Sequence, residues 1–105
     1  MVNPMRGEVE IKLDGVAHTA KLTLGALAEL ETALGTASLV EIAERFEQGR
    51  FSAADVISVI VAGLRGGGWR GEREVLLSSE IEGGPVEAAQ AAARLLARAF
   101  GIAGQ

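Results

Sequence analysis

Residues 8–13, EVEIKL, alternate strictly between polar and apolar, and Asp14-Gly15 follows at once. A period of two puts Val9, Ile11 and Leu13 on one face and Glu8, Glu10 and Lys12 on the other. Asp-Gly is the signature of a two-residue hairpin turn, so residues 16–22 are predicted to return as a second strand. Such a turn sets Leu13 opposite Val16, Ile11 opposite His18 and Val9 opposite Ala20. On the other face it sets Glu10 opposite Thr19 and Glu8 opposite Lys21, and opposite charges across strands contribute roughly 0.2–1 kcal/mol. Two strands alone are marginal, so the apolar face needs a cover.

The cover comes from helices. TLGALAELETALG (23–35) has a capping threonine, leucines 24, 27, 30 and 34 at helical spacing, and a closing glycine. Ser38-Leu39-Val40-Glu41 is a capping box, predicted to open a helix that turns Leu39, Ile42, Ala43 and Phe46 inward and ends at Gly49. Ser52-Ala53-Ala54-Asp55 repeats that logic before a helix apolar nearly all round, the expected central helix. Its β-branched residues are poor helix formers, and burial at roughly 1.5–3 kcal/mol per large apolar side chain outweighs the deficit. Gly66-Gly67-Gly68 is expected to stop it and to begin a flexible segment. A short helix over 72–81, broken at Gly83-Gly84-Pro85, and a last helix with Val86, Ala89, Ala93, Leu96 and Phe100 inward complete the chain. The predicted class is α+β: an N-terminal β-hairpin (about 8–22) followed by four or five helices (about 24–34, 39–48, 53–65, 72–81 and 85–100).

The 105 residues fit one domain, 1–105, with residues 1–7 and 102–105 expected to be loose. Hydrophobic residues make up 49%, enough for a core, and 4% aromatics make that core aliphatic. The formal charge of -4 argues against an extended phosphate-binding surface. The absence of cysteine excludes disulfides, thiol catalysis and cysteine-ligated zinc. No signal peptide is apparent, and the longest apolar run, 56–64, is about half of the ~20 residues that span a bilayer. A cytoplasmic protein is expected.

Residues with chemical potential are few. His18 is the only histidine, and its register places it beside Ile11 on the apolar hairpin face, away from any serine-histidine-aspartate arrangement. Glu72, Glu74, Glu80, Glu82 and Glu87 read as a solvated face and not as paired catalytic carboxylates. No metal-binding spacing occurs, and no catalytic residue or cofactor is expected. The sharpest local feature is Arg65 to Gly71, RGGGWRG. It follows a helix and lacks the Lys-Ser/Thr pair of a phosphate cradle. An arginine-glycine segment could stack Trp69 on a nucleic-acid base, but a single occurrence in an acidic chain disfavours that. The favoured reading is a loop whose tryptophan either plugs the core or anchors a partner.

Four segments taken together, RGEVEIKLDG (6–15), LTLGALAELETALG (22–35), ERFEQGRFSAADVISVIVAGLRGGG (44–68) and the closing helix to AFG (99–101), carry a resemblance that spans nearly the whole chain. They resemble the small gene transfer agent tail protein family of alphaproteobacteria, grouped with phage tail assembly chaperones and also labelled a tail tube protein. Residues 69–82 fit the pattern least. The resemblance implies a non-enzymatic assembly chaperone that binds the tape measure protein, tail tube subunits or both during tail construction. It leaves self-association open. The alternatives are a structural tail tube component and, further off, a small nucleic-acid-binding regulatory module using Arg65, Arg70 and Arg73. The candidate partner-binding residues are Leu27, Leu30, Leu34, Ile57, Val61, Leu64, Arg65, Trp69 and Arg70. No membrane partner is expected.

Overall fold

The computed structural model describes residues 3, 7–35 and 38–100. Strands β1 (Val9–Leu13) and β2 (Val16–Ala20) form an antiparallel hairpin, followed by helices α1 (Leu24–Leu34), α2 (Leu39–Glu47), α3 (Ala53–Gly66), α4 (Arg73–Leu77) and α5 (Gly84–Phe100). The arrangement is α+β. The expected looseness of 102–105 lies outside the described residues. Within 1–7 only Asn3 and Gly7 are described, and Asn3 exchanges hydrogen bonds with Glu8.

The hairpin register is the one the turn predicts, from Val9↔Ala20 to Leu13↔Val16. Asp14 (φ 50) and Gly15 (φ 82) both lie in the left-handed region, as a two-residue turn matched to strand twist requires. Val9, Ile11, Leu13 and Ala20 are buried, and Val16 at the tip is exposed.

Helix α3 is the centre of the fold. It packs against α1, α4, α5 and β2, and Val59, Ile60 and Leu64 are wholly enclosed. Both predicted capping boxes form: Ser38 with Glu41, and Ser52 with Asp55. Helix α2 buries Ile42, Ala43 and Phe46, and the Phe46 ring stacks on Phe51 at 4.6 Å between centroids.

Three local expectations are corrected. The helix expected over 72–81 spans only Arg73–Leu77. The Ser78 and Ser79 hydroxyls donate to the Val75 carbonyl, which diverts that acceptor and ends the turn. The chain then turns back along β1, where Ile81 forms an isolated bridge with Leu13. The Asp14 N–H donates to the Glu80 carbonyl (2.8 Å), and the Glu82 N–H to that of Lys12 (3.1 Å). An open strand edge gains partners there, which a free fourth helix could not supply.

The second correction concerns which side chains face inward. On α5 the buried residues are Ala88, Ala91, Ala92, Leu95 and Leu96, and Val86 is exposed. These positions follow the 3, 4, 7, 8 spacing of one helical stripe, and Val86 lies two residues, about 200°, away from its start. On α1, Leu24 is 86% exposed, and Ala26 and Leu30 carry the burial. Third, Gly66 and Gly67, expected only to stop the helix and begin a flexible segment, are packed tightly against the end of β2. Gly66 is the last residue of α3, and a Cβ there would overlap the Lys21 carbonyl oxygen. One at Gly67 would overlap the carbonyl of Thr19. The glycines let the end of β2 lie directly on the helix, where the Lys21 N–H donates to the Gly63 carbonyl at 2.8 Å.

Candidate partner-binding surface

The nine candidate side chains divide by burial. Leu30 and Leu64 are inside the core, at 1% and 0% exposure, so in this fold they serve packing. Leu27, Leu34, Ile57, Val61 and Trp69 are half-buried against that core. Arg65 and Arg70 are exposed. The leucine face of α1 and the apolar face of α3 largely cover one another, a pairing that the spacing within either helix does not specify.

Arg65 reaches across to α1 and pairs with Glu29 at 3.4 Å. Both partners are substantially exposed, so this bridge contributes little stability. Arg73 on α4 donates to Ser58 Oγ at 3.1 Å, which satisfies the one buried polar side chain among the described residues. Between α1 and α3 runs a shallow groove of about 550 Å³, floored by small residues such as Gly25, Ala28 and Ala62 and bordered by both arginines. Trp69 is placed against the core, with its backbone N–H donating to the Leu64 carbonyl at 2.9 Å. Gly71 lies so close to its ring that a side chain there would overlap it. His18 is half-buried opposite Ile11.

Both hairpin edges are covered in part from within the chain. On the β1 side, Lys12 and Asp14 bond the 80–82 segment, and the Glu8 carbonyl accepts from Arg98 Nη1 at 2.7 Å. On the β2 side, the Thr19 carbonyl faces the Gly67 backbone and Lys21 is tied to Gly63.

Sequence reasoning missed the exposed large apolar side chains. Val16, Leu24, Val40, Val75, Leu77 and Val86 are all at least half exposed. Helical spacing turns Leu24 and Val86 inward, but each sits in the first turn of its helix, before the buried stripe begins, and the others lie at an element's end or on the short α4. A second groove, about 380 Å³, lies between α2 and α5 against Phe46, Ala93 and Leu96. A third, about 720 Å³, lies at the hairpin tip.

Among ionisable groups, Glu41 has its carboxyl held below the usual range, first by the Ser38 backbone N–H and then by the Ser38 hydroxyl, with a smaller contribution from Arg45. That is a helix cap and not a reactive centre. Among the described residues no group of three or more His, Cys, Asp or Glu is placed to hold a metal ion. None of their helices is long and apolar enough to cross a membrane.

The arrangement offers packing faces and grooves. A family model described as phage tail tube protein, GTA-gp10, matches residues 6–102. No curated protein and no solved structure matches the chain. The family match covers the hairpin and all five helices, and the chain belongs to the phage tail tube protein GTA-gp10 family.

Proposed function

We propose that this chain is a non-enzymatic assembly factor for the tail of a gene transfer agent, acting in the cytoplasm by binding the tape measure protein and tail tube subunits. Family membership supplies the tail-related structural role. One observation favours assembly over residence in the tube wall. Among the described residues the only sheet is a two-stranded hairpin of five-residue strands, and each of its edges is bonded or covered in part by the chain itself. A wall built by pairing strands between subunits needs unpaired ladders to offer its neighbours. This chain offers helix faces and shallow grooves instead, which suit a helical, apolar partner.

Co-purification tests the reading. The tagged chain, co-expressed with the tape measure protein, retains it at micromolar concentration. No retention contradicts the proposal.

The family description favours a second reading, a tube component that stays in the particle. That reading requires subunit contacts through helices and loops. It predicts the chain in purified particles in amounts matching other tail proteins.

A further inference from the structure

The groove at the hairpin tip has a chemistry that the rest of the surface lacks. It lies between the β1–β2 turn, the 79–83 segment and the start of α5. Its apolar lining includes Ile81, Pro85 and Ala88, and the exposed Val16 and Val86 adjoin it in sequence. Three of its ten lining residues are carboxylates, Asp14, Glu80 and Glu82, and none is a cation. The neighbouring 330 Å³ recess shares Ile81 and Glu82 and adds Glu10, Glu87 and one cation, Lys12. Some of this charge is already engaged: Lys12 meets Glu82 at 3.6 Å, Arg94 meets Glu87, and one Asp14 oxygen accepts the Glu80 N–H. The Glu80 and Glu10 side chains are exposed on the rim.

The groove is held in shape. Asp14 and Glu80 exchange two hydrogen bonds across 66 residues of chain, and the Ile81–Leu13 bridge fixes the floor to β1. A surface formed this way needs little reordering on binding.

We infer that this groove docks a basic, apolar-anchored polypeptide segment of a tail partner, with an aliphatic side chain on Ile81 and Pro85 and lysine or arginine against Glu80, Glu82 and Asp14. An apolar floor rimmed by one sign of charge selects for the opposite sign and steers it in, with a strong dependence on salt. The choice of a tail protein as the partner rests on the assembly reading above; the groove's preference for cations does not.

The test uses the full chain and two amphipathic helical probe peptides, one of leucine and lysine, the other of leucine and glutamate. Backbone amide shifts are followed by NMR on titration. The lysine peptide shifts resonances at 14–15 and 79–88, and its affinity falls about tenfold or more between low and moderate salt. The glutamate peptide leaves them unmoved. The double variant Glu80→Lys, Glu82→Lys, checked for an intact amide spectrum, loses the lysine peptide by about tenfold or more. Should that variant misfold, the shift map of the unaltered protein decides alone. Equal binding of both peptides, or shifts centred on the α1–α3 groove, overturns the inference. Sedimentation showing a dimer that protects 79–88 overturns it too, by assigning the groove to a second copy. Tape measure retention that the double variant does not alter removes this groove but leaves the assembly role standing. Lysine-peptide binding without any tape measure retention does the reverse.

Discussion

Replacing Gly66 with alanine drives a methyl group into the Lys21 carbonyl oxygen and to within 3.1 Å of the Ala26 Cβ. Neither neighbour can rotate away, since one is backbone and the other a buried methyl. The end of β2 must lift off α3. Forcing atoms into a packed core costs roughly 1–3 kcal/mol. The Lys21–Gly63 hydrogen bond is stretched or lost, for about another 1 kcal/mol. Alanine returns up to about 1 kcal/mol through its better helix propensity. The net is a loss of about 2 kcal/mol, a drop in Tm of roughly 10 °C for a domain of this size. Gly63→Ala is the control. Its methyl meets Leu95 Cδ1 at 2.6 Å, a side-chain end that can change rotamer, so its net cost stays within about 1 kcal/mol. Urea unfolding, followed by far-UV CD and by the single Trp69 fluorophore, measures both. If Gly66→Ala is as stable as the parent, or if Gly63→Ala is the worse of the two, the close strand–helix approach is wrong.

Other substitutions probe the same account. Leu24→Ala changes stability by less than about 0.5 kcal/mol in chemical denaturation, whereas Leu30→Ala costs roughly 2–5 kcal/mol, although both lie on the predicted leucine face. Ser58→Ala strips Arg73 of its acceptor at a part-buried site and costs roughly 1–3 kcal/mol, read by the same unfolding assay. Ser52→Ala removes the α3 cap and costs about 1 kcal/mol. The Glu41 carboxyl titrates below its ordinary value of 4.5 in the folded chain. Its contribution to stability is therefore fully present above 4.5 and disappears as the pH falls through the lower folded value. Side-chain NMR titration locates that midpoint, and Glu41→Gln flattens this part of the acid limb.

The sequence carried the hairpin to its register because Asp14-Gly15 and the alternation of Val9, Ile11 and Leu13 are local signals that agree. The serine caps of α2 and α3 were legible for the same reason. What escaped depended on residues distant in sequence. Nothing in 72–81 announces that Glu80 and Glu82 bond Asp14 and Lys12, so the apolar spacing of Val75, Leu76 and Ile81 read as a longer helix. Gly66–Gly68 read as slack because glycine marks both freedom and close approach, and only the neighbour decides between them. The candidate surface was the least legible part. Leu30 and Leu64 have the side chains a partner site would use, yet the burial of α1 against α3 assigns them to the core. The hairpin-tip groove is assembled from the β1–β2 turn and residues 79–88, which no single motif joins.

The most direct test of the assembly reading is quantitative mass spectrometry of purified gene transfer particles. An assembly factor leaves at most traces of this chain beside the resident tail proteins. Amounts equal to theirs would contradict the account and make the chain part of the tube.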